Sequence, residues 1–130
     1  MELVKNFMKS SKVEKTAVVL ILAQLIIKIT VEIRKSFEAT MAIVPVVAIM
    51  LTIAWAGIIF ACLLRKKNGY LWGGIVGILH VVLALPLPFT GTCNHYFMAI
   101  FVSVHGLLIS VFSFLSYRGL TKHLLTNGGK

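Results

Sequence analysis

Apolar residues fall into four long runs, 16–31, 41–64, 70–89 and 96–117, and the polar residues collect between them. A helix needs roughly 20 apolar residues, at about 1.5 Å rise each, to cross about 30 Å of hydrocarbon. The second, third and fourth runs meet that length. The first is shorter and is interrupted by Gln24 and Lys28. It reaches across only if Lys28 snorkels outward and residues 30–33 extend the helix. The pattern predicts an all-α, polytopic membrane protein. Its four transmembrane helices, about 16–33, 41–64, 70–87 and 96–117, form an up-down bundle within a single domain covering residues 1–130.

Punctuation between the runs supports these boundaries. Asn68-Gly69 reads as a turn pair ahead of Tyr70 and Trp72. Pro86 and Pro88 stop the third span near Leu85, because proline lacks an N–H and disfavours helix before it. Pro45 falls in the first turns of the second span, where its missing donor costs little. Phe89, Tyr96 and Phe97 suit one membrane interface, and Tyr70, Trp72 and Tyr117 the other. Ahead of the first span, Leu3, Val4, Phe7 and Met8 alternate with Lys5, Lys9 and Lys12. Residues 1–15 therefore read as a basic segment, either an amphipathic helix on the membrane surface or a disordered tail. No small-x-small cleavage pattern follows it, which points to a retained signal anchor. Residues 118–130 read as a basic tail.

Charge sets the orientation. Of 13 Lys and Arg residues, ten lie in the N-terminal segment, the second connection and the C-terminal tail. Arg34 and Lys35 lie in the first connection, beside Glu32 and Glu38, and the third connection has none. The positive-inside rule places both termini in the cytoplasm. The net charge of +9 would suggest nucleic acid in a soluble protein. Here 58% of residues are hydrophobic, 13% are charged and the mean hydropathy is +0.94, so the basic clusters are expected to meet an anionic inner leaflet instead. Nucleic acid is not an expected partner. Cys62 and Cys93 fall at opposite membrane faces and cannot pair within one chain.

Candidate chemistry is sparse. There is no Asp, and no Ser-His-acid, HExxH, CxxC or phosphate-loop pattern appears, so no catalytic residues are assigned and an enzyme is not expected. His80 and His105 lie mid-span at similar depth. They are candidates to ligate a b-type haem or a metal, or to relay protons; the alternative is that each hydrogen-bonds a neighbouring helix. No carboxylate near them is apparent to orient the rings. Gln24, Lys28 and Glu32 step by four along the first span. They read as a polar ridge that lines a substrate path, or as a snorkelling lysine with an interfacial partner. Trp55, deep in the second span, is a candidate pocket wall or a filler of a helix crossing. His95 and Cys93 are too few for a metal site.

Small residues mark the expected helix contacts. Gly73, Gly77, His80 and Ala84 share a face of the third span. Ala99, Ser103, Gly106, Ser110 and Ser113 share a face of the fourth. Such stripes let helices approach closely in lipid, either within one chain or between copies. Three functions fit. The first is a non-catalytic helix bundle or accessory subunit that self-associates or packs with another membrane protein. The second is a small oligomeric transporter or channel for a neutral or anionic solute. The third is a redox subunit holding haem b between His80 and His105.

Overall fold

The computed structural model describes residues 1–38, 41–84 and 96–126, with the side chains of Tyr96 and Met98 excepted. The described residues form helices α1 (Glu2–Lys9), α2 (Lys12–Ile27), α3 (Ile33–Ser36), α4 (Ile43–Leu63), α5 (Lys67–Ala84) and α6 (Tyr96–Thr126). A π-helical turn, Lys28–Glu32, joins α2 to α3 without a break. No strand occurs among the described residues. Residues 39–40, residues 85–95, which hold the end of the third apolar run with Pro86, Pro88, Cys93 and His95, and residues 127–130 lie outside the described residues.

Three of these helical segments are long and apolar enough to cross a membrane: Lys12–Ser36, Ile43–Leu63 and Ala99–Thr126. Among the described residues three helical segments, rather than the expected four, meet that standard. α5 is the one left out. It has 18 residues, opens on Lys67 and Asn68, and carries Gly69, Gly73, Gly74, Gly77 and His80, all of which dilute its apolar content. The first segment, in turn, is longer than its apolar run. Ser11 caps it: the Glu14 backbone N–H donates to Ser11 Oγ at 3.2 Å, and the Ser11 N–H donates to Glu14 Oε2 at 2.7 Å. This reciprocal cap starts the helix at Lys12. The π turn then carries it to Ser36. Its 25 residues are enough to cross a bilayer without any help from a snorkelling lysine.

The α4–α5 corner also differs from expectation. Arg65, not the Asn68-Gly69 pair, makes the turn. Its φ is 55°, in the left-handed region. The Arg65 N–H donates to Cys62 O at 2.9 Å and the Lys66 N–H to Ala61 O at 3.1 Å, the bonding of a Schellman motif. The position usually takes glycine. Here Arg65 instead reaches the buried Glu14 carboxylate at 3.4 Å, tying the start of α2 to the end of α4. Gly69 lies inside α5, where a Cβ would stand 2.8 Å from Ala61 Cβ. Its role is close approach of α5 to α4.

α5 and α6 share the largest interhelical interface, and α6 also packs on α2. A Cβ at Gly77 would stand 2.8 Å from Gly106 O, and one at Gly106 would stand 3.0 Å from Gly77 O. At Gly73 it would stand 3.0 Å from Ser113 Oγ. Ser110 Oγ lies 2.9 Å from Gly74 O and 3.0 Å from Gly106 O and donates to these carbonyls. Ser103 is buried and donates to Ala99 O at 2.7 Å, while Ala84 is half-buried at the end of α5. Ala17, Ile21, Trp55, Tyr70 and Ile109 are fully enclosed and form the centre of the core. α1 rests beside this core through Phe7, and Lys15 Nζ stands 6.0 Å from the Phe7 ring centroid.

Candidate functional site

Three buried polar side chains, Gln24, Lys28 and His80, gather around Glu32. In a regular helix, residues 24 and 32 would point about 80° apart at 3.6 residues per turn. The π turn changes that. The Ile33 N–H reaches back five residues to Lys28 O, so each residue of the turn takes fewer degrees. Glu32 is thereby rotated back to the face that carries Gln24 and Lys28. This places a carboxylate inside a segment where the sequence suggested only an interfacial partner.

Four side chains then meet. Lys28 Nζ forms an ion pair with Glu32 Oε2. Gln24 Nε2 donates to Glu32 Oε1 at 3.4 Å and Oε2 at 3.5 Å. His80, from α5, brings Nε2 to 3.4 Å from Gln24 Nε2 and 3.5 Å from Glu32 Oε1. The site is enclosed: Gln24 is 0% exposed, His80 2%, Lys28 3%, and the Glu32 side chain 12%. Lys28 thus turns inward rather than snorkelling. Trp55, from α4, walls the site with its ring centroid 6.4 Å from that of His80.

The imidazole has two ways to complete this set. With its proton on Nδ1, Nε2 accepts from the Gln24 amide. With its proton on Nε2, the ring donates to Glu32. Gln24 Oε1, His80 Nδ1 and Trp55 Nε1 are buried without a hydrogen-bond partner among the described residues. Such atoms are costly in an apolar surround, and they sit at the edge of a charged cluster.

His105 is placed elsewhere. Its Nε2 donates to Leu20 O at 2.8 Å, and its ring stacks on Phe101 with centroids 6.2 Å apart. The Nε2 atoms of both histidines are engaged by the chain itself, one at Leu20 and the other at Gln24 and Glu32. No group of three or more His, Cys, Asp or Glu side chains that would hold a metal occurs among the described residues. Gly73, Gly77, Gly106 and Ser110 lie at the α5–α6 contact, where they bring the two helices close.

The sequence placed Glu32 at the end of the polar ridge and did not pair it with His80. Its spacing of four from Lys28 and eight from Gln24 was visible. What hid its role was position, near the end of the apolar run and close to Arg34 and Lys35. Comparison of the chain with protein-family models, with curated proteins and with solved structures finds no match.

Proposed function

We propose that this chain is a small, non-catalytic membrane protein of the transport class, and that Lys28, Glu32 and His80 form a proton-exchanging site inside the helix bundle. One observation carries the reading: a buried carboxylate shared by an ammonium, an amide and an imidazole, next to three polar atoms without a hydrogen-bond partner among the described residues. Ionisable groups are expensive inside a bilayer and mark ion paths or proton relays there. Glu32 also supplies an acidic group within the helical segment Lys12–Ser36, as proton handling there requires. In this reading α5 crosses the membrane as a fourth helix of an up-down bundle. Both termini are cytoplasmic, following the ten-to-two distribution of basic residues. The protein works as a homo-oligomer or with a membrane partner.

The test is proton flux. Proteoliposomes loaded with a pH-sensitive dye are expected to dissipate an imposed pH gradient faster than empty liposomes. Glu32→Gln and His80→Gln variants that keep the wild-type elution profile are expected to return the rate to that of empty liposomes. A wild-type rate equal to the empty control sinks the proposal. A second reading is a non-catalytic accessory subunit. It is supported by the Lys28–Glu32 pair, which already neutralises its own charge within one chain. It predicts no flux, together with a membrane protein that stays bound through purification.

A further inference from the structure

At the basic end of α4 and α5 the surface opens into a groove of about 260 Å³. Its floor is a run of small residues on α4, Ala54, Gly57 and Ala61, spaced three and four apart on one face. A Cβ added at Gly57 would meet nothing within 4 Å, so the trough is open to the surroundings of the helix rather than to its core. The groove is graded along its length. Its apolar floor belongs to a segment apolar enough to lie in the bilayer, and its far end is lined by Lys66 and Asn68, both exposed. Trp72, 57% exposed, stands on the α5 side, with an amphipathic ring suited to the depth of the lipid carbonyls.

This sequence of surfaces matches one kind of molecule. An acyl chain fits a narrow apolar trough floored by glycine and alanine. A phosphate at its head meets the Lys66 ammonium, the Asn68 amide and the start of α5, where the first backbone N–H groups point outward. We propose that the groove seats one anionic glycerophospholipid, with an acyl chain over Ala54, Gly57 and Ala61 and its phosphate at Lys66 and Asn68. Charge complementarity selects the lipid over a second copy of the chain, whose matching face would bring Lys66 and Lys67 toward their own like charges. The inference rests only on the chain lying in a bilayer. It does not depend on the Glu32 cluster, so lipid selectivity and proton flux fail separately.

The experiment counts bound lipid on the full-length, delipidated protein by native mass spectrometry, titrated with phosphatidylglycerol or phosphatidylcholine. Wild type is expected to bind phosphatidylglycerol about fivefold more tightly, the factor for one lysine facing an anionic headgroup. Lys66→Gln is expected to lose that preference while still binding phosphatidylcholine. Gly57→Leu fills the trough without touching the core, and is expected to keep the wild-type circular dichroism and lose both lipids. Equal affinity of wild type for the two lipids overturns the proposal. So does a Gly57→Leu protein that binds like wild type. Displacement of phosphatidylglycerol by millimolar inorganic phosphate would make the site one for free phosphate. Conversion of a dimer to a monomer by Gly57→Leu, with lipid binding unchanged, would make the face an interface between copies. Either result also overturns the proposal.

Discussion

Glu32 meets three side chains, and each of those partners depends on it differently. Lys28 has no other anion beside it among the ion pairs formed by the described residues, whereas Gln24 and His80 also face each other. Removing the carboxylate therefore leaves a buried, unpaired ammonium. Breaking such a pair from one side costs about 3–5 kcal/mol, while replacing both partners by apolar groups is often near neutral. Glu32→Ala is expected to lower the unfolding temperature in mild detergent sharply, and the double variant Lys28→Met/Glu32→Leu to recover most of it. A double variant less stable than Glu32→Ala would show that the pair is not the unit. His105 offers a contrast. Its single bond to Leu20 O is worth about 0.5–1.5 kcal/mol. His105→Phe should accordingly shift the same melting curve only slightly.

At the scale of elements, the corners and crossings make sharper demands than the spans do. Arg65 occupies a left-handed position that costs a residue with a Cβ about 1–2 kcal/mol. Arg65→Gly relieves that strain and loses only the Glu14 contact; Arg65→Ala loses the contact and keeps the strain. The glycine variant should be the more stable of the two by about 1 kcal/mol in equilibrium unfolding. Across the α5–α6 contact, Gly77→Leu is expected to break up the monodisperse elution peak, because its Cβ would press on the Gly106 carbonyl. Gly119→Leu, with nothing within 4 Å, should leave the peak unchanged. Much at this scale could be read from the chain. The apolar runs gave the long helices, and the four-residue step from Gly73 to Gly77 marked a face that approaches α6. The Glu32 site could not be read this way. Sequence spacing is converted to faces at 100° per residue, and one π turn invalidates that conversion for everything beyond Lys28. The Arg65 corner was also hidden, since Asn68-Gly69 is the stronger turn signal and lies three residues away. Ser11 and Glu14, by contrast, form a capping pair that was present in the sequence and places the start of α2 four residues before the apolar run.

At the scale of the molecule, the number of crossings decides where its ends lie. With α5 as a crossing helix the termini share a side; with three crossings they lie on opposite sides. Reporter fusions active only in the cytoplasm are expected to give signal at both the N- and the C-terminus. Signal at one end alone would remove α5 from the bilayer and with it the up-down arrangement. The same result bears on His80, which would then reach the cluster from a helix not itself bathed in lipid.

The Lys28–Glu32 pair is carried by one continuous helical segment, and that has a consequence for biogenesis. A lone charge at the middle of a helix costs about 2.5–3.5 kcal/mol to insert. Here the opposite charges arrive together, four residues apart and before α5 has been synthesised. The stretch 16–33, in which Lys28 and Glu32 are the charged residues, can therefore enter the bilayer with no net charge. His80 joins later, as an addition to a pair already made rather than a condition of its insertion.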